Sequence, residues 1–141
     1  MSDATPFDRV IRGEIVLPDR VLRDGYVAIR GETIAAIGEG ISPPAKAVSD
    51  FTGKYVLPGL VDGHMHTSSS RGWPGIRGAS RTAAAGGVTT CVDMPYDVPR
   101  PVTDASILAE KIAQVNALSH VDMALYGTIK KQGGVDATAG L

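Results

Sequence analysis

Apolar residues follow two rhythms along the chain, and the change comes near residue 57. Before it, β-branched and aliphatic residues gather in short runs at 10–17, 26–30, 33–37, 47–51 and 54–57. Turn chemistry separates them: Pro18-Asp19, Gly31-Glu32 and the stretch 38–44. Short runs bounded by such residues predict strands, so the first third reads as a small β-rich module. Its apolar residues are too few for a core on both faces, so it is expected to pack on something else. Residues 1–8 read as a loose end.

After residue 57 strands and helices alternate. A strand at 57–66 leads through a loop at 67–76 to a helix at 77–85, which Gly86-Gly87 stops. The compact strand 88–94 ends at Pro95, and a loop carrying Pro95, Pro99 and Pro101 reaches Thr103, the predicted N-cap. The helix 104–118 carries Ile107, Leu108, Ile112, Val115 and Leu118 at helical spacing, and 121–126 reads as a third strand. This alternation predicts parallel strands joined by crossovers, with Met94, Met123 and the helical stripe in the core. Lys130 and Lys131 fall in a loop, and 135–141 opens another helix. The organisation is therefore two parts, β strands over 1–55 and strand–helix units over 56–141.

Composition adds little beyond a globular class. The chain has 141 residues, 43% hydrophobic and 21% charged, as an ordered domain does. A formal net charge of −1 with interspersed signs offers nothing to nucleic acid or to an anionic membrane. The polar amino terminus lacks the basic start and apolar stretch of a signal peptide, and no segment is long enough to span a bilayer. One cysteine, Cys91, cannot form an internal disulfide, so a reducing, cytoplasmic setting is expected. That thiol is predicted to be buried and inert.

Chemistry concentrates at the end of the first strand of the second part. Strand side chains alternate between faces, so Asp62, His64 and His66 point the same way. The two histidine Cα atoms are then roughly 6.5–7 Å apart, close enough for both rings to meet one cation. Imidazole nitrogen suits zinc and related divalent metals. A chance His-x-His is no rarity, but an apolar lead-in, the Pro58-Gly59 break and the in-phase Asp62 favour a metal site. Asp62 and Asp93 are read as supports behind the ligands, through hydrogen bonds. Trp73 either packs under the loop, the favoured reading, or lines the pocket mouth, and His120, at the start of the third strand, is read as structural or exposed.

These residues resemble those of the cyclic amidohydrolases, the amidohydrolase branch that holds allantoinases, hydantoinases and dihydroorotases. The likeness is carried by Lys54-Tyr-Val-Leu-Pro-Gly-Leu-Val-Asp-Gly-His-Met-His66, Arg81-Thr-Ala-Ala-Ala-Gly-Gly-Val-Thr-Thr90, Val92-Asp-Met-Pro95 and Pro101-Val-Thr103, and it covers about residues 8–135. It implies an α/β fold, an incomplete metal-dependent (β/α)8 barrel preceded by part of a small β-sandwich. It also implies that His64 and His66 bind a divalent metal, zinc in the first instance, with two ions per full-length chain. In the family a carboxylated lysine bridges the metals, two further histidines bind the second, and an Asp moves the proton. A metal-bound hydroxide then opens a cyclic amide of allantoin or hydantoin type. None of those later residues can be assigned here, because such a barrel needs eight strands and this chain supplies about three. Lys130 and Lys131 precede the position of the bridging lysine and read as solvated loop residues.

The loop after His66 departs from the relatives. Ser68 stands where dihydroorotases place an Arg that holds a carboxylate, which disfavours that activity, and Asp97 stands where relatives tend to show Asn. Arg71 and Asp97 are the candidates for contact with substrate. The resemblance implies a small cyclic amide as substrate, a homo-oligomer at full length and, for this chain alone, an inactive amino-terminal fragment. Two other readings stand beside it: a mononuclear deaminase-type relative, and a non-catalytic barrel relative serving in assembly.

Overall fold

The computed structural model describes residues 6–129. The chain divides into two compact units, Met1–Pro58 and Gly59–Leu141. The expectations for Lys130, Lys131 and the helix at 135–141 lie outside the described residues.

The first unit is a four-stranded sheet of β1 (Phe7–Val16), β2 (Val21–Arg30), β3 (Thr33–Glu39) and β4 (Ala45–Val56), in the order β3-β2-β1-β4. The β1–β2 and β2–β3 pairs are antiparallel, whereas β1–β4 is parallel. Ile15, Leu22 and Val27 form its buried cluster, with Ile11, Leu17, Ile29 and Val56 packed around them. Val10 and Ala28, paired with each other and facing away from Ile11 and Val27, are fully buried as well, while Ile34, Val48 and Phe51 stay exposed.

The runs at 47–51 and 54–57, read as two strands, are one. Between Arg12↔Asp50 and Glu14↔Tyr55 the ladder gains extra residues on β4. Asp50 Oδ1 accepts from Thr52 N (2.8 Å) and Thr52 Oγ1 (2.6 Å), and Gly53 turns through φ +78°. The turn chemistry is real, but it is absorbed as a kink within the strand rather than ending it.

The second unit holds β5 (Leu60–Met65), α1 (Gly75–Ala85), β6 (Val88–Asp93), α2 (Ala105–Leu118) and β7 (Asp122–Leu125). Its sheet runs β5-β6-β7 with both pairs parallel, the crossover arrangement that the alternation predicts. The strand begins at Leu60, not at residue 57: Pro58 brings no N–H to a ladder, and Gly59 passes so close to Thr89 that a Cβ would collide with it. Helix α1 begins two residues before the predicted 77, with Pro74 at its N-cap in helical conformation (φ −57°). It stops as expected, at Gly86, whose N–H bonds to Thr82 and Ala83 carbonyls.

Helix α2 differs from the reading in two ways. Its cap is Asp104, not Thr103: Asp104 is extended, and its side chain accepts from Ile107 N at 3.1 Å. Its buried face is also rotated from the expected stripe. Ile107 and Lys111 are buried, while Ile112 is 44% exposed. Met94 and Met123 are half-buried.

Candidate metal centre

The β5–β6 ladder pairs Asp62 with Cys91 and Met65 with Asp93, so Gly63 and His64 together face one residue, Val92. This is a β-bulge, a device that re-aims side chains at strand ends. Asp62 satisfies the freed backbone, its Oδ1 accepting from His64 N at 3.0 Å. Asp62 thus supports the histidine through its main chain and makes no hydrogen bond to its ring. The strand then presents both imidazoles together: His64 Nε2 and His66 Nε2 are 3.2 Å apart, with ring centroids at 5.2 Å and planes tilted by 58°.

That spacing fits a shared cation. Bonds of about 2.0–2.1 Å to one tetrahedral ion set two ligand nitrogens roughly 3.3–3.4 Å apart. His66 Nδ1 lies 2.9 Å from Ser69 Oγ. A proton on Nδ1, donated to that hydroxyl, leaves Nε2 with its lone pair, the support a ligating imidazole usually has. Both histidines are exposed. No group of three or more His, Cys, Asp or Glu able to hold a metal occurs among the described residues.

Behind the pair lies a buried ionic cluster that the sequence reading missed. Asp93 is fully buried; its Oδ1 accepts from Thr67 N (2.9 Å) and its Oδ2 from Thr67 Oγ1 (2.8 Å). Lys111 Nζ sits 2.8 Å from Asp93 Oδ2, 2.8 Å from Asp97 Oδ2 and 3.0 Å from the Met94 carbonyl oxygen. An ammonium has three donors, and three acceptors surround this one. Spacing alone gives only a partial signal: Lys111 follows Ile107 by four residues and so shares its helix face, but nothing local marks the carboxylates it meets.

Asp97, a substrate-contact candidate, is instead part of this cluster. Its side chain is wholly buried in an ion pair with Lys111, and neither Oδ1 nor Oδ2 has a hydrogen-bond partner among the described residues. Burial pushes its carboxyl above the usual range; Lys111 opposes that, the Asp93 charge adds to it, and His66 works weakly against it. Arg71 is placed differently. It lines an open cleft of about 500 Å³ together with His66, Thr67, Ser70 and Gly75. Trp73 is half-buried, and its carbonyl accepts from Ile76 N. His120 is exposed, its backbone N–H bonded to Ser80 Oγ, which ties α1 to the start of β7. Cys91 is buried, and burial first, then the Asp62 and Asp93 charges, raise its thiol pKa.

No family model matches the chain. Individual proteins do. Over 129 residues it is 36% identical to an allantoinase of Rubrobacter xylanophilus, spanning 87% of this chain and 27% of that enzyme. An allantoinase of Bacillus licheniformis is 33% identical over 126 residues, 86% of this chain and 28% of the relative. The chain belongs to the amidohydrolase superfamily and is allantoinase-like over the part of those enzymes that it spans. It spans little more than a quarter of the length of these allantoinases. Its fold is that of solved amidohydrolases as well. A zinc-containing N-acyl-D-glutamate deacylase from Bordetella bronchiseptica superimposes with a TM-score of 0.58 at 24% identity, covering 87% of this chain and 30% of the deacylase.

Proposed function

We propose that His64 and His66 are the first two metal ligands of an amidohydrolase site that hydrolyses cyclic amide C–N bonds, in rings of the allantoin or hydantoin kind. The carrying observation is the pair of Nε2 atoms 3.2 Å apart at the end of a parallel strand. The allantoinase relatives support the substrate class, and the zinc in the Bordetella deacylase supports a divalent cation. In this reading β5, β6 and β7 open a (β/α)8 barrel within 56–141, and the strands of 1–55 belong to a small β-sandwich.

A divalent cation, two of them in the complete site, would supply Lewis acidity toward an amide carbonyl and a water molecule. The chain's own residues prepare for this. His64 and His66 would turn their Nε2 atoms to the cation, Ser69 Oγ stands at Nδ1 of His66, and Arg71 brings a positive charge to the cleft wall for an anionic or carbonyl group of the ring. Asp62 and Asp93 hold the backbone on either side of the pair. Two ligands fall short of the three that a catalytic zinc takes from protein, so this chain alone is inactive. The reading includes a small-molecule substrate, a cytoplasmic setting and a homo-oligomer at full length. No helix among the described residues is long and apolar enough to cross a membrane.

Zinc titration of the chain by calorimetry tests the site. One ion per chain is expected, with binding lost in His64→Asn and in His66→Asn. Zinc affinity unchanged from wild type in both variants would remove the basis of the assignment, and ring opening of allantoin or hydantoin by the chain alone would overturn its inactivity.

A further inference from the structure

The buried ammonium of Lys111 sits where an aliphatic side chain beside Ile107 would fill the space at lower desolvation cost. Its contacts show what it holds instead. One leads through Asp93 to Thr67, whose N–H belongs to the peptide that begins at the His66 carbonyl carbon. Fixing that N–H on Asp93 Oδ1 fixes the rotation of the His66 peptide. A second contact holds the Met94 carbonyl, and Met94 N donates to the Met65 carbonyl at 2.8 Å, on the other flank of His66. The third contact, with Asp97, anchors the loop after β6 to the same ammonium. Both peptides that flank His66 are thus tied, at one remove, to a single residue of α2.

We infer that Lys111 is a positioning residue for the histidine pair, acting through Asp93–Thr67 on one side and Met94–Met65 on the other. This rests on the metal-site reading given under Proposed function. The role is mechanical: Lys111 touches neither imidazole. It holds the main chain so that the two Nε2 atoms keep the spacing one cation requires. Residues behind a metal ligand typically change metal affinity by about 10–100-fold when removed.

The test is cobalt(II) titration of the chain, followed by visible absorption, with Trp73 fluorescence as the check that the second unit is folded. Lys111→Met is expected to weaken cobalt binding by about tenfold or more, change the visible band and speed hydrogen exchange at the Thr67 amide. Lys111→Arg, which keeps a charged donor, is expected to restore part of the affinity. Should Lys111→Met not fold, Thr67→Val removes the Oγ1 contact with Asp93 while leaving the ion pair, and is expected to weaken cobalt binding several-fold. A folded Lys111→Met, or in its place a folded Thr67→Val, with unchanged affinity and spectrum overturns the positioning role alone. A wild-type chain that binds no cobalt overturns the metal-site reading and the positioning role with it.

Discussion

Lys111 Nζ and Asp93 Oδ2 lie 2.8 Å apart with both side chains wholly buried. Neither charge is screened by solvent, so the pair stands or falls together. Removing one partner leaves the other desolvated and unpaired, which costs about 3–5 kcal/mol. Lys111→Met strands two carboxylates and is expected to lie at or above that range. Urea unfolding followed by the fluorescence of Trp73, the single tryptophan, measures it. Unfolding midpoints that coincide with wild type would show that the cluster contributes nothing to stability.

Asp97 gives a pH signature of the opposite sense to an ordinary ion-paired carboxylate. Its folded pKa lies above the unfolded one because burial outweighs the Lys111 contact. The folded state therefore binds the proton more tightly, and the penalty for the ionised form, full above the raised value, is relieved as pH falls through it. Asp97→Asn removes that penalty. It is expected to be more stable than wild type near neutral pH, with the advantage fading in acid. Urea midpoints at a series of pH values check it, and an advantage that grows in acid would reverse the assignment.

Asp104 offers a simpler measurement. Its carboxylate accepts from Ile107 N, so Asp104→Ala is expected to cost about 1 kcal/mol, and Thr103→Ala to leave this bond intact. Thermal unfolding of the two variants separates the caps. A larger loss from Asp104→Ser than from Asp104→Ala would contradict capping, since serine caps nearly as well as aspartate.

What could be read in the chain follows the range of each interaction. Alternation of apolar runs and Gly-Pro breaks is local, and the strands, the two helices and the parallel order of β5, β6 and β7 were legible from it. His64 and His66 were singled out from strand alternation, but β5 stops at Met65 and the bulge breaks the phase between Asp62 and His64, so the meeting of the two rings comes from the bulge and not from the alternation itself. The strand β4 was misread because Asp50 and Gly53 make a genuine turn, and only pairing with β1 carries the strand across it. The stripe on α2 was misjudged for the same reason. A lysine at position 111 looks solvated until Asp93 and Asp97, 18 and 14 positions earlier, are brought against it. The role given to Asp97 at the substrate failed with it.

The sheet of the second unit leaves a practical mark on any sample. Among the described residues β5 pairs with β6 alone, and Leu60 and Val61 on it are more than half exposed. An uncovered, greasy border of this kind recruits a matching segment from whatever molecule is nearest. In concentrated solution that molecule is another copy, so particle size should climb with protein concentration, and a charge introduced at Val61 should keep the solution clear.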